Sequence, residues 1–195
     1  MQRSLATKIP DELLLRNVEF GIMSYRPGDH FHSIRVYTDE LAFVVAPGHP
    51  LARRKSLSID DLGEENFVAH NVPSPLRRKV IEVFATHKTP LKMDVELPSL
   101  EAIKRFVAGG NGVALVPGLT VQPELAAGVL VRIPVKELHI QRTLRLVHRK
   151  RANLSHAALA FIEVIRSLAE KTGEPFEFEE EKPIPVRAHT KRSVL

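Results

Sequence analysis

The sequence predicts an α/β fold of two lobes, in which the chain leaves a first lobe, builds a second and returns to complete the first. Three observations lead there. Short apolar runs and alternating segments, which suit strands, are interleaved with segments of helical apolar spacing. The stretch 97–117, "LPSLEAIKRFVAGGNGVALVP", condenses a strand end, a helix and a second strand into one unit. Finally, two βαβ-like regions flank connecting segments near residues 45–60 and 134–142, which read as two crossovers.

Taken in chain order, residues 8–16 predict a short helix with Leu13, Leu14 and Leu15 on its apolar side. Residues 18–23 predict a strand, and residues 33–45 a longer extended stretch broken near Thr38-Asp39-Glu40. Pro47-Gly48-His49-Pro50 is a turn, and residues 58–62 a helical turn capped by Ser58. Residues 67–70 predict a strand, followed by the loop Asn71-Val72-Pro73-Ser74-Pro75 that opens a helix over 75–87. In residues 92–97, Met93, Val95 and Leu97 alternate with charged residues, the period of a strand with one covered face.

Ser99 then predicts a helix start, its hydroxyl accepting from a first-turn amide, with Glu101 placed favourably for the helix dipole. Leu100, Ile103, Phe106 and Val107 share one face, with Lys104 and Arg105 outside it. Gly109 and Gly110 end the helix. The continuous run 113–116 suits a strand buried on both faces of a parallel sheet, so the unit reads as a right-handed parallel crossover. Ser99 and the helix's free amides would lie beyond one strand's carboxyl end and Pro117 beyond the next. That is where open α/β sheets bind ligands, and a helix start there favours an anion. A short helix over 120–127, a strand over 129–133 and another over 143–148 follow. Ser155 caps a long helix reaching about residue 171, with Leu159, Ile162, Ile165 and Leu168 in register.

The expected lobes are thus residues 1–57 plus 137–171 and residues 58–136. From Thr172 the composition turns to mixed charge with three prolines, so 172–195 is expected to be a mobile tail.

Composition narrows the function. The chain has no cysteine, which excludes disulfides, iron–sulfur clusters and thiolate zinc sites. The opening residues do not resemble a signal peptide, and the longest apolar run, "LAFVVAP", falls far short of the roughly 20 residues that span a bilayer. No membrane association is expected, and a cytoplasmic location is the default. The net charge of +5 is mild, and the basic clusters at 53–55, 77–79 and 149–151 read as solvated faces. With no tryptophan and two tyrosines there is no aromatic platform for single-stranded nucleic acid.

Candidate chemistry is sparse. Gly110-Asn111-Gly112 lies between a helix and a strand, the reverse of the order a dinucleotide loop needs. There is no P-loop and no G-x-S-x-G elbow. His30 and His32 lack a nearby third metal ligand, and His49, in a Gly-His-Pro turn, reads as a capping or packing residue. His70, at a strand end, and Ser99, at a helix start, are the residues that point toward a ligand. An enzyme would need a pair of facing titratable groups, which the sequence does not offer. No catalytic residue, metal or cofactor is therefore expected.

Several segments together resemble the effector-binding domain of LysR-type transcriptional regulators. They are "DELAFVVAPGHPLA" (39–52), "SIDDLGEENFVAH" (58–70), the 97–117 unit and "ELAAGVLVRIPV" (124–135), in that order. "VEFGIM" (18–23) resembles an early strand of that domain, with Glu19 where aspartate is usual. The resemblance covers roughly residues 10–170. It implies a two-lobed periplasmic-binding-protein-like fold with two crossovers and an effector site in the inter-lobe cleft. Ser99 and Leu100 would meet the effector there, with His70, Asn71 and Ser74, Val116 and Pro117, and Met23 and Ser24 from the first lobe. The effector would be a small organic anion and the assembly a homo-oligomer. Measured against the family, the helix-turn-helix and the opening of the first lobe have no counterpart here. The expectation is therefore an N-terminally truncated sensing domain with an incomplete first lobe. Such a chain would not bind DNA alone, although full-length members of the family do. The rival readings are an enzyme or a stand-alone solute-binding protein on the same kind of fold.

Overall fold

The computed structural model describes residues 4–181. The chain divides into two compact units, one formed by residues up to Thr38 and from Thr143 onward, the other by Asp39–Arg142. These boundaries differ from the 57/58 and 136/137 expected from the sequence. Segments 39–57 and 137–142 both belong to the second unit because Leu41, Phe43, Val45 and Leu57 from the first, and Leu138 and Ile140 from the second, pack into its core.

The first unit contains α1 (Ile9–Leu14), β1 (Phe20–Met23) and the start of β2 (Phe31–Val45). The returning chain adds most of β7 (Gln141–Arg149), α5 (His156–Thr172) and β8 (Phe176–Glu180). β1 runs antiparallel to β7, with Phe20 opposite His148 and Met23 opposite Arg145. Alternation along β7 serves two small cores: Val147 packs with Leu13, Met23 and Phe31, whereas Leu146 packs with Ile34, Val36 and Ile162.

α5 starts at Ser155, whose hydroxyl accepts from the amide of Ala158. It buries Ala158 and Ile162 and packs Ile165 against the same core, an i, i+4, i+7 face. Leu159 and Leu168 are exposed instead of completing the expected row. Each i+3 step on a helix turns about 60° short of a full revolution, so three such steps put Leu159 and Leu168 on opposite sides.

β8 is a correction to the tail expected over 172–195; the remainder, 182–195, lies outside the described residues. β8 pairs antiparallel with β2, with Ile34 opposite Glu180 and Tyr37 opposite Phe176. Its charges, which suggested disorder, are matched one by one. Arg35 donates to Glu179 at 2.9 Å, and Thr38 donates to Glu177 at 2.6 Å. Glu181 accepts from Ser33 Oγ at 2.7 Å and from Arg145 Nε at 3.0 Å.

The second unit is built on the end of β2, which the expected break at 38–40 does not interrupt. Asp39 is buried there, accepting from Arg142 at 2.8 Å and from the amides of Glu40 and Leu119. Leu41, Phe43 and Val45 face one core and Ala42 and Val44 the other, so both faces are covered and the run is apolar throughout. β5 (Ala114–Pro117) and β6 (Val131–Arg132) pair antiparallel with this part of β2.

β3 (Asn66–His70) lies parallel to β4 (Lys92–Leu97), with His70 opposite Leu97. Val113 joins the other side of β3, exchanging hydrogen bonds of 2.8 and 3.0 Å with Val68 and Asn66. α3 (Leu100–Ala108) therefore carries the chain from β4 past β3 to β5. β5 thus has parallel contact with β3 but an antiparallel partner in β2, so the expected purely parallel sheet is mixed. Gly112 permits the approach. Its φ is +107°, and a Cβ there would fall 2.5 Å from the carbonyl oxygen of Asn66.

Lys104 is also corrected. It is 5% exposed, not outside the buried face. Its ammonium donates to Thr120 O at 2.8 Å and pairs with Glu101 and Glu124, each at 2.7 Å. Thr120 and Glu124 lie on α4 (Gly118–Ala126), which packs over the side chain. Burial alone would lower the pKa of Lys104, but the two carboxylates outweigh it and raise it.

The β8 clasp should respond to acid. Burial pushes the Glu181 carboxyl up, but its hydrogen bonds to Ser33 and Arg145 outweigh that and hold it below its ordinary 4.5. A depressed carboxyl contributes stability above its unfolded value and loses it as pH falls through the folded value. Amide protection in β8 should therefore drop below about pH 4 before protection in β5 does. Glu181→Gln should remove that step; an unchanged profile in hydrogen exchange would reject the clasp.

Candidate functional site

Three strand ends meet in the second unit. β3 ends at His70, β4 at Leu97 and β5 at Pro117, and Asn71 N donates to Leu97 O at 3.1 Å. Two helices begin beside them. Ser74 caps α2 (Pro75–Thr86), its Oγ accepting from Arg77 N at 3.1 Å; Ser99 caps α3, accepting from Ala102 N at 3.2 Å.

Between these elements lies a cavity of about 290 Å³. His70, Ser74, Leu100 and Pro117, all singled out in the sequence, are on its wall. Arg77 completes the polar end, donating to the His70 carbonyl at 3.0 Å and pairing with Glu96. In the sequence Arg77 stands out only as part of the basic cluster 77–79. Its place three residues after a serine cap, in the first turn of a helix opening at a strand end, was the available signal.

The other candidates fall elsewhere. Ser99 is half-buried beside the cavity rather than on its wall, and its oxygen serves the cap. Asn71 is exposed and contributes a backbone hydrogen bond. Val116 is fully buried among Val107, Val121 and Leu130 on the opposite face of β5. Leu115 reaches the cavity instead, because successive side chains of a strand point to opposite faces. Met23 is 2% exposed and packs in the first unit's own core, with Ser24 half-buried after it.

Alternation alone puts Met93 on the same face as Val95 and Leu97, but it lines the cavity while they pack against the opposite core. The cause is a bulge: Asn66 pairs with Lys92 but Val68 with Val95, so one extra β4 residue inverts the alternation.

The histidines divide clearly. His70 Nδ1 accepts from Val72 N at 3.1 Å, so the neutral ring carries its proton on Nε2 and donates from there. His49 Nδ1 accepts from Leu51 N at 3.3 Å and caps a 3-10 turn. The His32 and His148 rings lie 5.0 Å apart in the first unit, and burial lowers the pKa of His148. Among the described residues, no group of three or more His, Cys, Asp or Glu could hold a metal ion, and no helix is long and apolar enough to cross a membrane.

The LysR substrate-binding domain family model matches residues 3–170. The chain belongs to this family. It is 33% identical over 127 residues to a probable RuBisCO transcriptional regulator of Synechocystis sp., a match covering 64% of this chain and 37% of that protein. The curated relatives are matched over 37–51% of their length. The regulatory domain of Synechocystis PCC6803 CcmR, solved in complex with 2-PG, superimposes with a TM-score of 0.75 at 23% identity, covering 85% of this chain and 80% of that one. The effector-binding domain of QuiR, solved with shikimate, gives 0.73 at 22% identity, covering 88% and 81%. The fold is therefore that of LysR effector-binding domains, periplasmic-binding-protein-like. β8 lies beyond the segment matched by the family model.

Removing the Ser99 cap has a defined cost. Ser99→Ala should destabilise the protein by about 1 kcal/mol in urea unfolding, and Ser99→Gly by only a few tenths. Equal losses for the two variants would mean that the hydroxyl does more than cap the helix.

Proposed function

We propose that this chain is the effector-sensing part of a LysR-type transcriptional regulator, and that its effector is a small organic anion held where β3, β4 and β5 end. The observation that carries this reading is the meeting of three donor-bearing residues, His70, Ser74 and Arg77, on the wall of one cavity. Hydrogen bonds in which the acceptor is a carboxylate are shorter and stronger than neutral ones. No catalysis is proposed. Apart from Arg77, His70 is the one titratable group on this wall, and acid–base chemistry needs a facing partner.

The protein is proposed to act in the cytoplasm as a homo-oligomer, and this chain alone is proposed not to bind duplex DNA selectively. Phe161, Val164 and Leu168, at i, i+3 and i+7 on α5, are exposed and form an apolar face suited to a second copy. Val164→Glu should shift the sedimenting species toward monomer; unchanged sedimentation would remove α5 from the interface. Promoter fragments tested at physiological salt should show only weak, salt-sensitive retention.

Calorimetry against simple carboxylates tests the site. His70→Phe keeps an aromatic ring but removes the donor, and should weaken binding roughly ten- to hundred-fold, the loss of one hydrogen bond to a charged group. Ser99→Gly should bind within about two-fold of the parent, since glycine retains most of the capping. Binding insensitive to His70→Phe would place the anion elsewhere.

A further inference from the structure

The cavity beside the three strand ends is built for more than a small polar anion. Its 290 Å³ exceeds the ~150 Å³ that lets an apolar protein cavity hold benzene. Behind the polar end, Phe67, Leu91, Met93 and Leu115 form an apolar floor, and no polar side chain other than His70, Ser74 and Arg77 reaches the wall. A purely polar anion would satisfy the donors and leave that floor against water or void, which forfeits contact energy. Ligand sites of this type combine an apolar body with a few convergent polar groups.

The polar end also fixes the sense of the head group. His70 Nδ1 is occupied by the amide of Val72, leaving Nε2 to donate. Ser74 Oγ already accepts from Arg77 N, so its hydroxyl hydrogen is free to be given. A guanidinium only donates. The Arg77 guanidinium is already engaged by the His70 carbonyl and Glu96, so the donors left for a ligand are His70 and Ser74, which favour an acceptor over an ammonium.

We propose that the effector is an amphipathic carboxylate, with an aromatic ring or short alkyl chain seated on the apolar floor and its carboxylate at His70 and Ser74. This rests on the effector-sensing reading and names the ligand class within it.

The test compares acetate with phenylacetate, 3-phenylpropanoate and hexanoate on the full chain. Affinity would come from calorimetry and location from amide shifts around His70 and Ser74. At least one of the larger acids should bind roughly ten-fold or more tightly than acetate, as burial of several apolar carbons requires. Ala69→Leu fills the cavity from β3, where Ala69 lines it. It should abolish that advantage while leaving acetate binding and the thermal midpoint near those of the parent. Leu115→Phe serves the same purpose from β5 should Ala69→Leu fail to fold. Equal affinity for all four acids, with shifts at His70, would overturn the apolar subsite and leave anion sensing intact. Larger acids that bind tightly to both filled variants would overturn the location. Absence of any shift at the cavity with every acid would overturn the inference and the anion site together.

Discussion

The two hydrogen bonds between Val113 and β3 are the constraint on which the candidate site depends. Without them, β5 would be a partner of β2 only, and Leu115 and Pro117 would have no fixed distance from His70. With them, three strand ends are brought to one level, and the helices that follow β3 and β4 must start there. The contact is possible because Gly112 has no side chain where the carbonyl of Asn66 comes closest. A single missing Cβ thus determines whether the donor groups and the apolar floor face the same space.

Around that contact, the second unit solves the problem of charge near its core by local pairing. Asp39 and Lys104 are both nearly inaccessible, and each finds several partners across element boundaries. Asp39 accepts from the first amide after the Gly118 turn, so it meets the positive end of α4 as well as Arg142. Lys104 ties α3 to α4 from beneath. Such pairs add little net stability compared with apolar packing, but leaving one partner alone is costly. They therefore specify which helix sits where.

Much of this was legible in the sequence because local chemistry dictated it. Ser99 and Ser155 cap where their position ahead of apolar-periodic runs implied, and the continuous apolar run 113–116 is covered on both faces as its pattern implied. The wall of the candidate cavity was legible at His70, Ser74, Leu100 and Pro117, which strand and helix ends place by geometry. What escaped was set by partners distant in sequence. The β4 bulge that turns Met93 toward the cavity is a property of its register with β3, not of residues 92–97. Val116 and Leu115 exchange roles because strand parity cannot be phased without knowing which core each face meets. Lys104 looked like a surface residue because α4, which covers it, comes later in the chain. The acidic β8 looked disordered because its basic partners lie on β2 and β7.

That last separation has a temporal side. Ser33 and Glu181 join residues 148 positions apart, whereas the second unit is one uninterrupted segment, Asp39–Arg142. As the chain emerges from the ribosome, the second unit has all its strands once residue 142 is out. The edge of β2 that β8 later covers must then wait for some seconds at roughly 5–20 residues per second. Over that interval Ile34 and Val36 belong to an open sheet edge, and the basic Arg35 between them is the residue that discourages a wrong strand from arriving first.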